Sequence, residues 1–410
     1  MLNPPKPMSP PNPPKPALPL DGIRVLDLST VLAAPVTATF LGDFGAEVVK
    51  VEEPRHGDFT RGTATGERSP YWAQEARNKK SVTLDLRTPH GQGLVRSLVP
   101  LFDVVITNYR PSTLSSWGLD PDSLRAIAPD AILVYVTGYG LTGPYSDRGS
   151  FDRIASAFAG LTYVTGDPDR EPVRSGYSTI DYMAAYLGAF SVVTALYHRD
   201  TAGGGGQVID LALYEAGFRA SEDALTSYAT TGRVRERLGN RNPKIVPASD
   251  FTTSDKRRIS LHAGTNPLFR KLAALMERPE LPGLPQYATR AARAENAESL
   301  YTTIADWVAR HTADELTGLL NSAGIPASPL MNIADIAADP HYLERGTITT
   351  VDDPDFGRLP MAAPIPRLSE TPGQIRTTGP ALGEHNTEIY EGLLGLSSQE
   401  VADLHADGVI

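Results

Sequence analysis

The sequence predicts an α/β protein: a parallel, doubly wound sheet covered by helices, followed by a smaller second domain. Two observations carry this. Over about the first 140 residues, short apolar strand patterns alternate with helical ones, which calls for a parallel sheet buried on both faces. Beyond about residue 220 the alternation gives way to a polar, irregular stretch at 233–257 and then to helices rich in alanine and leucine at 267–324. A chain of 410 residues, 41% hydrophobic and 21% charged, can bury a large core and divides naturally into two domains.

Taken in order, residues 1–18 form a proline-rich tail. Nine prolines in the first nineteen residues forbid helix and sheet ladders, so an extended segment is expected, and the composition is not that of a signal peptide. Strands are expected at 22–28, 46–51, 81–86, 103–107, 131–137 and 207–213. Helices are expected at 34–44, from Thr88-Pro89 onward, where a capping residue precedes a proline suited to the first turn, and at 181–199, where Ala184, Ala185 and Gly188 permit close packing. Domain boundaries follow at 19–220 for the large domain and 221–340 for the small one. Residues 341–410 return to the large domain and end in a helical stretch at 387–406.

Composition excludes several functions. With no cysteine there is no disulfide, thiol nucleophile or thiolate metal site, which agrees with a cytoplasmic address. A net charge of −10 argues against a nucleic-acid partner, although a few arginines still suffice for a small polyanion. No apolar run reaches membrane-spanning length, so no membrane association is expected. The eight histidines show no metal-ligand spacing, and no metal is expected.

Gly138-Tyr139-Gly140-Leu141-Thr142-Gly143 spells a dinucleotide fingerprint after a strand, but Pro144 and the polar residues behind it make a loop instead of the helix that a pyrophosphate needs. The glycines at 203–206 lack the lysine and hydroxyl residue of a phosphate loop and read as a turn. No Gly-x-Ser-x-Gly elbow is present. Asp181 is more informative, since it follows a loop containing Pro172 and Gly176 and opens an apolar helix. It reads either as an ordinary helix cap or as a carboxylate ionised by nearby amides and aimed into a cleft, where it can attack an activated acyl group.

Several stretches, in order and spacing, resemble the family III CoA-transferases of the CaiB/BaiF type. They are Leu18 to Asp27; Leu41 to Glu52 with Gly57-Asp58 and Arg61; Asn78 to Leu86; Asn108 to Pro111; Gly138-Tyr139-Gly140; Pro172 to Asp181; Gly206 to Asp210; and Gly383-Glu384-His385-Asn386. The resemblance implies a Rossmann-like large domain, a smaller α+β domain and an interlocked homodimer. It implies no tightly bound cofactor, with coenzyme A and acyl-CoA as substrates beside a carboxylic acid. Asp181 matches the family's nucleophile, which passes through an aspartyl anhydride and an aspartyl-CoA thioester.

Val31, Leu84, Asp85, Leu86, Arg87, Asn108, Tyr109 and Arg110 match positions along the CoA path, and Gly149, Ser150, Phe151 and Asp152 should lie beside the thioester. Leu32, Ser116 and Gly149 replace polar or basic residues of relatives that take a very small diacid, which implies a larger or more apolar acyl group. The rival on the same fold, an α-methylacyl-CoA racemase, pairs the aspartate with a histidine where this chain has Phe151, and phenylalanine carries no proton. Asp152 is a nearby substitute but reads as a helix cap. A third reading is a CoA-binding protein without activity.

Overall fold

A computed structural model describes residues 18–62, 68–242 and 244–410. The proline-rich tail therefore lies, apart from Leu18, outside the described residues. The chain forms two compact units: one contains the residues up to 160 together with 176–222 and 346–410, the other contains 161–175 and 223–345.

The first unit is built on β1 (Arg24–Asp27), α1 (Ala33–Asp43), β2 (Glu47–Glu52), α2 (Pro70–Glu75), β3 (Lys79–Thr83), α3 (Pro89–Leu98), β4 (Val104–Thr107), α4 (Pro111–Trp117), α5 (Pro121–Ile127), β5 (Ile132–Thr137), α6 (Asp152–Phe158), α7 (Thr179–Ala202), β6 (Val208–Ala212) and α8 (Leu213–Arg219). The six strands are all parallel, in the order β3-β2-β1-β4-β5-β6. Leu26 sits between Val49 and Val105, and the apolar positions of β1, β2, β4 and β5 are almost entirely buried, as strands covered on both faces must be. The order reverses between β1 and β4, which opens a crevice beyond their carboxyl ends.

The third strand starts two residues earlier than the sequence suggests. Lys79 belongs to it because its ammonium is buried against Asp27 (2.8 Å) and the Pro35 carbonyl (2.6 Å), a pairing across 52 residues that no local pattern reveals. The small residues of the seventh helix do what their size allows. A Cβ on Gly188 would stand 2.7 Å from Thr37 Oγ1, so α7 lies directly against α1. Contrary to expectation, α7 is by length and composition apolar enough to cross a membrane; in this structure it is a partly buried helix packed on α1 and β5.

The second unit holds α9 (Ala224–Thr231), β7 (Ala248–Thr252), β8 (Arg258–His262), α10 (Asn266–Leu275), α11 (Arg290–Glu295), α12 (Ala297–Val308), α13 (Ala313–Ser322), β9 (Ala327–Pro329), α14 (Ile333–Ala338) and α15 (Pro340–Glu344). Its antiparallel sheet β7-β8-β9 buries Phe251, Ile259 and Leu261 with Leu272, Leu300, Ile304 and Trp307 of the helices. The stretch 233–257, read from sequence as irregular, thus contains a strand. Its weak pattern, with Phe251 as the one buried side chain of β7, hides the pairing to β8. The return segment begins with an antiparallel hairpin, β10 (Ile348–Asp353) and β11 (Gly357–Ala362), that was not foreseen. It then binds back along the edge of the parallel sheet: Asn386 Oδ1 accepts from the Thr83 N–H, the Val409 carbonyl accepts from the Asp85 N–H, and Trp72 Nε1 donates to the Pro380 carbonyl. The chain closes with α16 (Ser398–Ala406).

Candidate active site

The crevice between β1 and β4 contains a cavity of about 200 Å³. Its walls come from the turn after β1 (Thr30 to Ala33), from Asn108 and Arg110 after β4, from the end of β5, and from the loop Ser146 to Phe151. Asp181 at the start of α7 completes it. Gly138 allows this assembly, since a Cβ there would stand 2.3 Å from the Cβ of Ser150 and push the loop away.

Asp181 occupies the third position of α7, yet it does not cap the helix. The first-turn amides are taken by Asp152, whose Oδ1 accepts from the Ile180 N–H at 2.9 Å and from the Asp181 N–H at 3.4 Å. Asp152 is a cap, as its sequence context suggests, but it caps α7 and not its own helix. The Asp181 carboxylate itself has no hydrogen bond among the described residues, and only 8% of the residue is exposed. Burial, and secondarily the neighbouring Asp152 charge, push it up to about 7. The amides at the start of α7 thus belong to a second carboxylate, and burial raises the Asp181 carboxyl where the sequence suggested that amides would keep it ionised.

The same cavity is lined by Ala33, where α1 begins without any side-chain cap on its first turn. The uncapped amides of a helix start favour a developing negative charge. Arg110 and Arg148 add two guanidinium groups to the cavity, Arg148 lying 3.6 Å over the Tyr145 ring.

Of the positions expected to hold CoA, the structure gathers Val31, Asn108, Arg110, Gly149, Ser150 and Phe151 around the cavity with Asp181. Leu84 and Leu86 have their side chains buried in the main apolar core. Tyr109 packs edge-on against Trp117 beside that core. Arg87 is exposed and shares its guanidinium between Asp85, at 2.7 and 2.9 Å, and Glu53, at 3.1 Å. Asp152 lies behind the α7 start and does not line the cavity. Sequence reasoning missed Arg148, although the loop Gly149-Ser150 had been singled out and the arginine precedes it directly. It also passed over Thr30 and Ala33, which carry no chemical signature.

The family model described as CoA-transferase family III matches residues 20–386. The succinyl-CoA–D-citramalate CoA-transferase of Chloroflexus aurantiacus is 43% identical over 395 residues, covering 96% of this chain and 98% of that protein. The β subunit of the succinyl-CoA–L-malate CoA-transferase of the same organism is 42% identical over 399 residues, covering 96% and 98%. A crystal structure of a CaiB/BaiF family protein from Brucella suis superposes with a TM-score of 0.81 at 34% identity, covering 92% of this chain and 100% of that one.

Proposed function

Because the chain belongs to CoA-transferase family III, and is thus an enzyme that moves CoA between acids, we propose that Asp181 is its nucleophile, succinyl-CoA its donor and a hydroxylated dicarboxylate its acceptor. The observation that carries the first part is the Asp181 carboxylate: buried, free of hydrogen bonds among the described residues, and set in a cavity that the uncapped start of α1 also lines.

In this reading, the ionised Asp181 oxygen attacks the thioester carbonyl, the oxyanion forms near the α1 amides, and the C–S bond breaks. The products are an aspartyl anhydride and CoA thiolate. The thiolate attacks the aspartyl carbonyl and releases the donor acid, leaving an aspartyl-CoA thioester. The acceptor carboxylate attacks that thioester, and the thiolate then attacks the acceptor's acyl carbon in the new anhydride. Asp181 is regenerated. Each acyl bond broken is replaced by another of comparable energy, and no net proton is needed. Burial favours attack, because a carboxylate without hydrogen bonds is a better nucleophile than a solvated one.

The acid assignment is supported by the two relatives, whose names specify succinyl-CoA with citramalate or malate. It moves the expectation away from an apolar acyl group, and Arg110 and Arg148 offer partners for a second carboxylate or for the CoA phosphates. A racemase is disfavoured because Phe151 stands at the cavity where a second proton carrier would be needed and Asp152 is committed to the α7 amides. The same reading takes the molecule as a cytoplasmic homodimer. In support, α7 exposes Phe190 at 69% and Tyr197 at 70%, apolar surface that a second copy would cover. A monomer mass by light scattering would remove that part.

The test is a trapping experiment. The protein is incubated with succinyl-CoA, the intermediate is captured with hydroxylamine or borohydride, and the modified residue is located by mass spectrometry. The expected adduct is at Asp181. Modification elsewhere would refute the assignment, α-carbon hydrogen exchange without adduct would point to racemisation, and CoA binding with neither would mark a binder.

A further inference from the structure

The turn between β1 and α1 lines the cavity that Asp181 also lines, and side chains hold its residues 29–31. Asp27 Oδ1 accepts from the Ser29 N–H at 3.1 Å, and Lys50 Nζ donates to the Ser29 carbonyl at 2.7 Å. Asn108 closes two bonds on Thr30, accepting from its N–H at 2.9 Å and donating to its carbonyl at 2.7 Å. The next amide, of Val31, donates to Asp58 Oδ2 at 3.1 Å.

At Val31 the backbone has φ +71°. A β-branched side chain is among the least tolerant of this region, because its Cβ branches crowd the backbone. The other non-glycine residues with positive φ among those described are Asn78, Glu222, Lys256 and Glu277, none of them β-branched. Strain of this kind persists only where the surroundings over-determine it, and it concentrates at functional sites. Asp58 is itself 4% exposed and does not line the cavity. Its Oδ1 accepts from the Thr60 N–H at 3.0 Å and hydroxyl at 2.7 Å, and Lys50 Nζ lies 3.3 Å from Oδ2. Both oxygens are thus surrounded by donors.

We propose that Asp58 is a positioning residue: its carboxylate holds Val31 in the left-handed conformation, and the turn so held presents the amides at the start of α1 to Asp181. Released from Asp58, Val31 relaxes to negative φ and the wall at 30–33 turns away from the nucleophile. The chemical consequence rests on the reading of Asp181 given above; the clamp itself does not.

A double-mutant cycle with Asp58→Asn and Val31→Gly tests this. An asparagine has one acceptor oxygen, so its NH2 must face one of the donor sets and a bond is lost, whereas glycine occupies positive φ without strain. Two readouts are taken on the full-length protein: hydrogen-exchange protection of the amide at position 31, and the rate of adduct formation at Asp181 from succinyl-CoA. Asp58→Asn is expected to lower protection at least tenfold and to slow adduct formation about tenfold. In the Val31→Gly background it should slow the reaction less than threefold. A purely structural Asp58 would lower the melting temperature in both backgrounds and cost the same rate factor in each, which overturns the proposal, as does full activity of Asp58→Asn. If Asp58→Asn does not fold, recovery of folded protein on adding Val31→Gly supports the clamp, and failure in both backgrounds sinks it. If the unmodified protein forms no adduct at Asp181, the functional reading has failed, and the exchange readout still decides the clamp.

Discussion

Asp27 and Asp181 are both buried, at 0% and 8% exposure, and burial alone would raise both. At Asp27 that effect is outweighed by Lys50 and Lys79, whose ammonium groups lie 3.8 and 2.8 Å away, and the carboxyl falls to about 2. At Asp181 nothing offsets it, Asp152 adds repulsion, and the carboxyl rises to about 7. The two sites lie in one unit. The comparison separates a carboxylate used to hold backbone from one kept free of partners, and it is the second condition that suits a nucleophile.

The largest expected effect breaks the free side of this pair. Asp181→Asn should lower transfer by about 10³-fold or more without lowering the unfolding free energy at pH 8, because no hydrogen bond of its carboxylate is lost. A turnover assay alongside urea denaturation checks both halves, and substantial residual transfer would mean that another group attacks. The matching change on the paired side is Lys79→Met, which removes one of two cations from buried Asp27. It should cost about 3–5 kcal/mol of stability by urea denaturation; a loss below about 1 kcal/mol would show that Lys50 alone neutralises Asp27.

A pH series then sharpens the comparison. Adduct formation should rise with pH and level off above about 7, as Asp181 loses its proton. The folded-state value exceeds the unfolded 3.8, so the stability contributed by protonated Asp181 is fully present below about pH 4 and lost as pH rises through about 7. Asp181→Asn should abolish that slope, whereas the Asp27 contribution, with its lowered value, stays constant across the same range. The smallest effect concerns an exposed ion pair. Arg87→Ala should change stability by less than about 0.5 kcal/mol, since its partners Asp85 and Glu53 remain hydrated. If Arg87 meets a CoA phosphate, calorimetry should show CoA binding weakened about threefold, with a salt dependence that the variant lacks.

Much of this was legible in the sequence for physical reasons. The strands at 103–107 and 131–137 carry unbroken apolar runs, Val104–Ile106 and Ala131–Val136, because they are central and covered twice, so the observed Val104–Thr107 and Ile132–Thr137 fall within them. Asp181 was found through motif spacing, since locally it looks like a cap. What stayed hidden depends on distant contacts. Lys79 reads as surface until its partner Asp27 is known, and this displaced the third strand. Asp152 reads as the cap of its own helix, whereas it reaches the α7 amides 28 and 29 positions on. Leu84 and Leu86 matched a CoA-contact motif, but the matched motif does not reveal which side chains face the core. Asp58 stood within a matched stretch, and only the geometry of Val31 explains what it does there.

The contact between Gly188 and Thr37 lies seven residues, about two helical turns, from Asp181. It joins α7, which carries Asp181, to α1, whose first residue Ala33 lines the same cavity. The width of that cavity is therefore set in part from a position outside its lining. A side chain larger than hydrogen at 188 meets Thr37 first, and a shift of α7 against α1 in response would reshape the cavity while leaving every lining residue in place.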